Sequence, residues 1–346
     1  MRRPRSARSR WWNSVLRSAL ITLVVGIVGF ALVAFIGVNI VLNQISRPDL
    51  EQEYVTEEQL MEIELQEAIE HGETEDTVVY PELDPAEIQW TKPEAPIGKK
   101  QELINILLIG QDSRSISTAA RSDSMILVSI NLDAKTITMT SFLRDLYVQI
   151  PGYQDNRINA SYAFGGMKLL NDTLETNFGV TVDGNVAVSF DVFAQVIDLL
   201  GGVDINLTNA EANYFGRSPG LNHLDGKAAL GYARLRAIDS DFGRTQRQRN
   251  VMTALFYSLR SVGITQLLDL TEQILPMIST DMTNAQIMTY AAKIAPILSS
   301  SSISGSHIPA EGTYTFNSVR GMSVIVADLE QNREILRQTL EPEATE

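Results

Sequence analysis

The sequence of 346 residues contains no cysteine, so disulfide frameworks, thiol nucleophiles and thiolate metal sites are excluded. Histidine is scarce as well, with His71, His223 and His307 only. No Ser–His–acid arrangement is visible, and each histidine is expected to be an ordinary surface or hydrogen-bonded residue. The net charge is −14, and residues 92–346 alone carry 27 acidic and 21 basic residues, so no nucleic-acid partner is expected.

The charge is divided unevenly along the chain. Residues 1–17 carry six arginines and no acidic residue, whereas residues 48–91 carry 15 acidic residues and neither lysine nor arginine. Between Arg17 and Arg47 lie 29 consecutive uncharged residues. A helix needs roughly 20 apolar residues to cross a bilayer, so this run is long enough.

These patterns predict a single transmembrane helix over 18–42, preceded by a basic tail over 1–17. The tail is expected in the cytoplasm, because positive charge stays on that side of a membrane, and everything after residue 43 is expected outside. The apolar run is too long for a cleaved signal peptide, and no small-residue cleavage site follows it. The lipid bilayer is therefore the first expected partner.

Residues 43–98 form a predicted acidic extracytoplasmic linker. TEEQ at 56–59 resembles a capping box, with Leu60 on one face of a short helix. The segment is interpreted either as a spacer that lifts a domain off the membrane or as a solvated, partly disordered linker.

A globular domain is predicted over 99–346. Strands interleaved with helices favour an α/β or α+β layered domain, with a mixed central sheet flanked by helices. Strands are predicted at 103–110, 124–131, 136–142, 185–192 and 203–208. Helices are predicted at 163–179, 193–202, 225–233, 245–262, 264–279, 283–298 and 325–340.

Positive charge in this domain is concentrated where it could bind phosphate. Arg114, Arg121 and Arg144 lie at or beside predicted strand ends. Residues 234–249 contain five arginines. Arg234 and Arg236 share a face if their segment is extended, and Arg244 shares a helix face with Gln248. Arginine binds phosphate oxygens in a bidentate manner, so a pyrophosphate site is one interpretation. A solvated helix face with ion pairs is the other.

Asp112 and Asp123 each lie close to an arginine, in GQDSR and RSDS. Carboxylates at strand ends can bind Mg²⁺, which is often shared with a substrate phosphate. The residues alone therefore favour a phosphate site without establishing it.

Several multi-residue motifs occur between residues 105 and 262 in the order found in the LytR-CpsA-Psr family, which this chain resembles. They are GQDSR (110–114), RSDSM (121–125), SFLRDLYVQIPG (141–152), RINASYAFGG (157–166), LLGGVDI (199–205), LDGKAALGYARLR (224–236) and DFGRTQRQR (241–249). The short basic tail, the single span and the external domain are similar too. One departure is Leu143, where the family more often has proline.

This resemblance implies a bacterial membrane-anchored transferase that is single-pass, with its catalytic domain outside. Such an enzyme would take a glycopolymer phosphate from a polyprenyl-pyrophosphate-linked glycan. It would transfer this group to a hydroxyl of peptidoglycan, the muramic acid 6-hydroxyl, with Mg²⁺ as cofactor.

The resemblance also implies roles for individual residues. Asp112 and Asp123 are the expected metal ligands. Asp123, Arg144 and Asp145 are the candidate catalytic residues, with Asp123 or Asp145 as the base. The expected pyrophosphate-binding residues are Arg114, Arg121, Arg144, Arg234, Arg236, Arg244 and Gln248.

Alternatives remain open. A regulatory protein could bind the lipid phosphate without catalysis, and a lipid-carrier pyrophosphatase would use water as the acceptor. The apolar faces of 185–197 and 251–259 are candidates for a lipid cavity, although they are equally explained as core.

Overall fold

The computed structural model describes residues 37–47, 54–60, 62, 80–97, 102–111, 122–238, 241–261 and 272–341. It divides the chain into two units, Met1–Ile45 and Ser46–Glu346. The described part of the first unit is helical at 37–42. The predicted tail and most of the predicted span lie outside the described residues. Within the part of the chain that is described, no helix is long and apolar enough to cross a membrane.

The second unit contains the strands and helices that build the site. Its strands are β1 (Leu103–Gln111), β2 (Ser122–Asn131), β3 (Thr136–Phe142), β4 (Tyr147–Val148), β5 (Asn156–Arg157), β6 (Gly184–Ser189), β7 (Val203–Leu207), β8 (Gly220–Leu224), β9 (Ser279–Thr280), β10 (Ser302–Ile308), β11 (Tyr314–Val319) and β12 (Met322–Ala327). Its longer helices are α1 (Ile158–Phe178), α2 (Phe190–Leu199), α3 (Asn209–Phe215), α4 (Gly226–Arg234), α5 (Asp241–Ser261), α6 (Asn284–Leu298) and α7 (Leu329–Leu340). Short 3-10 helices lie at Pro85–Glu87 and Leu275–Met277.

Six of these strands form the main sheet, in the order β10-β3-β2-β1-β6-β9. Strands β1, β2 and β3 are antiparallel neighbours, whereas β6 runs parallel to β1 and β10 runs parallel to β3. The predicted mixed central sheet flanked by helices is therefore confirmed.

Side-chain alternation along β1 divides the two faces of the sheet. Leu107 and Ile109 are fully buried in the main core, which also contains Leu170 of α1 and Leu336 of α7. The opposite face carries Leu108, which faces α2, α4 and α5 across an apolar cavity. Because successive strand side chains point to opposite faces, one strand serves both layers.

Several predicted boundaries are corrected by capping residues. The predicted strand 185–192 ends at Ser189, whose hydroxyl accepts from the amide of Val192 and starts α2. The predicted helix 325–340 begins only at Leu329, after the N-cap Asp328, because the preceding residues form β12. A third boundary changes without a side-chain cap: helix α1 begins at Ile158, five residues before its predicted start at 163, and is kinked at Gly165 and Gly166, whose backbone angles are not helical.

Parts of the predicted linker pack against the folded unit. The capping box at Thr56 and Gln59 is confirmed, since each backbone amide donates to the other residue's side chain. Leu60 is buried in the main core. The amide of Ile97 donates to the carbonyl of Gly179 at 2.8 Å. The second unit therefore includes residues on the N-terminal side of the predicted boundary at 99.

Candidate functional site at one edge of the sheet

A β-bulge lies where β1 ends and β2 begins. Gly110 is opposite Ser124, whereas Gln111 is opposite Ser122, so Asp123 is the extra residue between the two pairs. A bulge interrupts the regular alternation of side chains and frequently re-aims one beside a functional site. Here the neighbours Asp123 and Ser124 contact different partners, which are Arg144 for Asp123 and Gln248 for Ser124.

Asp123 begins a chain of alternating charges. Its Oδ1 atom accepts from Nη1 of Arg144 at 2.9 Å. Nε of Arg144 lies 3.4 Å from Oδ2 of Asp145, and Nη1 of Arg157 lies 3.6 Å from Oδ1 of the same carboxylate. All four side chains are only 16–25% exposed, so solvent screens these pairs less than it would at the open surface. The structure therefore brings the three candidate catalytic residues together.

A tight turn after β3 presents Arg144 and Asp145. The amide of Leu146 donates to the carbonyl of Leu143 at 3.2 Å, which places Arg144 and Asp145 at the two central positions. The amide of Leu143 donates to the carbonyl of Ile308 at 3.0 Å. Proline, the more usual residue here, has no amide proton to donate, so Leu143 adds a bond between this turn and β10.

An apolar cavity of about 260 Å³ lies over one face of the sheet and reaches the strand ends beside the bulge. It is lined by both segments predicted to have apolar faces, with Val186, Val188 and Phe193 from one and Met252 and Leu255 from the other. The sequence left lipid cavity and core as equal interpretations of these segments. The structure shows that they enclose a cavity.

Polar groups lie among the residues that line this cavity. The hydroxyl of Ser124 donates to Oε1 of Gln248 at 3.1 Å, and both residues contribute to the lining. Arg234 also lines it, with its guanidinium carbon 5.1 Å from the ring centre of Phe190. Two predicted phosphate-binding residues, Arg234 and Gln248, therefore come together there.

The predicted geometry of the first arginine pair is wrong. Arg234 is the last residue of helix α4, and Leu235 after it is extended. Arg236 follows outside the helix and is exposed. The two residues are therefore not on one face of an extended segment, because helix α4 continues one residue further than predicted.

Three of the five arginines in 234–249 are buried, so the solvated helix face is wrong for them. Arg244, Arg247 and Arg249 are each at most 5% exposed. Arg247 donates to the carbonyl of Leu235 at 2.6 Å and lies 3.5 Å from Oε1 of Glu211. Arg249 donates to the hydroxyl of Ser141 at 2.9 Å, and burial lowers its pKa to about 10.

Arg247 has a function that its sequence position did not indicate. Its hydrogen bond to Leu235 fixes the backbone between Arg234 and Arg236. Arg247 is identified as an anchor of that segment by its buried ion pair with Glu211. The sequence could not indicate this pair, because Glu211 lies 36 residues away. Arg157 and Phe190 were likewise absent from the predicted site, although both belong to it by contact.

Three predicted site residues, Asp112, Arg114 and Arg121, lie outside the described residues, as does His71. His223 is exposed, and its hydrogen bond to Asp204 raises its pKa. Nδ1 of His307 lies 2.8 Å from the carbonyl oxygen of Pro309. Both described histidines have ordinary hydrogen-bond partners, as expected.

Comparison with known families agrees with this arrangement. The sequence profile of the LytR_cpsA_psr family matches residues 61–339. The chain belongs to the LytR_cpsA_psr family. The described candidate residues Asp123, Arg144, Asp145, Arg234, Arg236, Arg244 and Gln248 all lie within the match.

Relatives within the LytR_cpsA_psr family have two kinds of name. The polyisoprenyl-teichoic acid–peptidoglycan teichoic acid transferase TagU of Bacillus licheniformis is 38% identical over 185 residues, which are 52% of this chain and 60% of TagU. The regulatory protein MsrR of Staphylococcus aureus strain Mu50 is 40% identical over 162 residues, or 45% of this chain and 49% of MsrR. The alignments thus span about half to three fifths of these relatives.

Solved structures in this family share the fold. TagT bound to LIIa-WTA superposes with a TM-score of 0.58 and 25% identity, covering 76% of this chain and 98% of TagT. TagV of Bacillus subtilis superposes with a TM-score of 0.56 and 28% identity, covering 70% of this chain and 98% of TagV.

Proposed function

We propose that this chain transfers a glycopolymer phosphate from a polyprenyl-pyrophosphate carrier to a peptidoglycan hydroxyl. One observation carries the proposal: the apolar cavity bears Arg234 and Gln248 in its lining, and Ser124 joins that lining to the Asp123–Arg144 pair. An amphiphilic donor needs this combination, because its chain must leave water while its pyrophosphate needs cationic partners.

In the proposed reaction, the acceptor hydroxyl oxygen attacks the phosphorus atom that carries the glycan. A new oxygen–phosphorus bond forms, and the bond between that phosphorus and the bridging oxygen breaks. Polyprenyl phosphate leaves with the electron pair, while the hydroxyl proton passes to a base. Arg144 and Arg234 would stabilise the negative charge that accumulates on the phosphate oxygens.

Asp123 is the better candidate for the base. Both oxygens of Asp145 face guanidinium groups, from Arg144 on one side and Arg157 on the other. Asp123 uses only Oδ1 in its hydrogen bond with Arg144. We therefore assign Asp145 to the orientation of Arg144, and Asp123 to contact with the acceptor.

We propose that a magnesium ion binds at Asp123. Asp123 lies at a strand end with its side chain 25% exposed, and Mg²⁺ is commonly held by one or two carboxylates together with water and substrate phosphates. Asp112, the second proposed ligand, lies outside the described residues. When bound, the ion would neutralise charge on the pyrophosphate.

The relatives support a transferase, since TagU is named for moving teichoic acid to peptidoglycan and TagT is described bound to LIIa-WTA. The name of MsrR keeps a regulatory function as the second candidate. The full-length chain in detergent, incubated with a lipid-linked glycan, Mg²⁺ and peptidoglycan fragments, separates the candidates by mass spectrometry of the products. A phosphodiester-linked conjugate is expected. Free glycan phosphate would indicate a pyrophosphatase, and unchanged donor would indicate binding without catalysis.

Removing the metal or its ligand should abolish transfer. EDTA is expected to stop conjugate formation, and excess Mg²⁺ should restore it. Asp123→Ala is expected to lose transfer while keeping its thermal unfolding temperature close to that of the wild type, because a partly exposed carboxylate contributes little packing. Undiminished activity of the chain in EDTA would overturn the metal assignment.

The proposed location is a bacterial cell membrane, with the N-terminus in the cytoplasm and the folded unit outside. A reporter enzyme that is active only outside the cytoplasm, fused after Glu346, should be active. The opposite result, activity of a cytoplasm-specific reporter at the same position, would overturn both the orientation and the substrate class.

A further inference from the structure

Phe190 lies between the apolar cavity and the guanidinium of Arg234. It is the first residue of α2, directly after the cap Ser189, so the strand-to-helix transition fixes its backbone. Its ring lines the cavity together with Phe193 of the same helix. The side chain of Phe190 thus lines the apolar cavity and also contacts the guanidinium of Arg234.

Gly110 leaves the space in which this ring lies against the sheet. A Cβ atom at Gly110 would lie 3.2 Å from Cε1 of Phe190 and 3.1 Å from Cβ of Ser124. Any larger residue would push the ring or the serine away by a few tenths of an ångström. The glycine at the end of β1 therefore allows the ring to lie directly against the backbone of the strand.

The guanidinium of Arg234 lies over the ring, 5.1 Å from its centre. A guanidinium within about 6 Å of a ring centre is attracted to the face of the ring. This attraction restrains the position of the Arg234 guanidinium beside the cavity, and a guanidinium is the group that recognises phosphate oxygens in a bidentate manner.

We propose that Phe190 is a positioning residue, which holds Arg234 beside the cavity through the cation–π contact so that the site selects lipids with a charged pyrophosphate head group. The inference rests on the proposed function. It adds that Phe190 lies between the two parts of the bound donor. The polyprenyl chain contacts the apolar residues around Phe190, and the pyrophosphate contacts Arg234 over its ring.

Phe193 provides a matched control. It lies three residues along α2 and lines the same cavity, but within the described residues no guanidinium stacks on it. Phe193→Leu removes about as much apolar contact as Phe190→Leu does and leaves Arg234 in place. Phe190→Leu removes the aromatic ring that contacts Arg234, whereas Phe193→Leu leaves that ring in place.

The experiment measures binding of two probes to the full-length chain in detergent. Farnesyl pyrophosphate carries the charged head group, and farnesol has the same apolar chain without charge. Phe190→Leu is expected to weaken farnesyl pyrophosphate binding by about 3- to 10-fold, the cost of ordering one long side chain, and to weaken farnesol binding by less. Phe193→Leu should weaken both probes by the same factor, and Phe190→Tyr should restore the preference for pyrophosphate.

A second measurement removes the cation. In an Arg234→Ala background, Phe190→Leu should no longer change the ratio of the two affinities. Equal loss of both probes in Phe190→Leu would overturn the inference and leave the proposed function intact. Wild-type protein that binds neither probe would overturn the proposed function together with the inference.

Discussion

Arg144→Ala is expected to reduce transfer by about 100- to 1,000-fold, which is the usual effect of losing one preorganised donor to a reacting phosphate or oxyanion. Arg144 forms ion pairs with both Asp123 and Asp145. Its loss therefore removes a positive charge and also leaves two carboxylates close together. Initial rates of conjugate formation at saturating Mg²⁺ measure the effect.

Arg320→Ala serves as the control for this loss. Arg320 lies 3.4 Å from Asp155 and also donates to the hydroxyl of Tyr147, so its removal breaks a comparable ion pair outside the site. Its transfer rate should stay within about 2-fold of the wild type. Arg144→Lys should recover only part of the activity, because an ammonium group cannot reproduce the planar fork. A similar loss in Arg144→Ala and Arg320→Ala would refute the role of Arg144 in the reaction.

Glu211→Ala is expected to lower the free energy of unfolding by about 3–5 kcal/mol. Its carboxylate faces Arg247, and both side chains are almost completely buried. Breaking one side of a buried pair leaves a charge without its compensation, which is strongly destabilising. The same carboxylate accepts from the amide and hydroxyl of Thr208, so the side-chain half of the capping box of α3 that Glu211 supplies is lost too. Urea unfolding followed by tyrosine and tryptophan fluorescence measures the change.

Asp172→Ala is the matched control for the buried pair. Asp172 pairs with Lys168 one turn away on α1, where both side chains are exposed. Exposed pairs of this kind contribute little, so the loss should remain below about 0.5 kcal/mol. If Glu211→Ala were as mild as Asp172→Ala, the Glu211–Arg247 contact would not anchor the segment that carries Arg234.

The sequence predicted the elements whose signal is local. Strand β1 was predicted closely because its apolar run is nearly continuous, and strand β3 because a short turn joins it to β2. Strand β10 was not predicted, because SISGSHI has little apolar content and exists as a strand only through its pairing with β3. The last three residues of strand β12, 325–327, were assigned to a helix, since the cap at Asp328 that separates β12 from α7 is one residue long.

The site was predicted in its residues but not in its packing. The motifs named Asp123, Arg144 and Gln248 because each carries a functional group on a recognisable fragment. They could not show that Arg244, Arg247 and Arg249 are buried, because a row of arginines on a helix has the same sequence pattern whether it faces water or another layer. Phe190 was missed for a related reason, since only the fold brings Arg234 over its ring.

The bulge at Asp123 affects how this protein can change in length during evolution. Deleting one residue from β2 at this point would restore regular pairing with β1 and turn either the aspartate or the serine away from its partner. Length changes between Arg114 and Arg121 would instead leave the register of β1 and β2 in place. Insertions and deletions should therefore accumulate between Arg114 and Arg121 among related chains, outside the two motifs, while the spacing from Asp123 to the end of β2 stays constant.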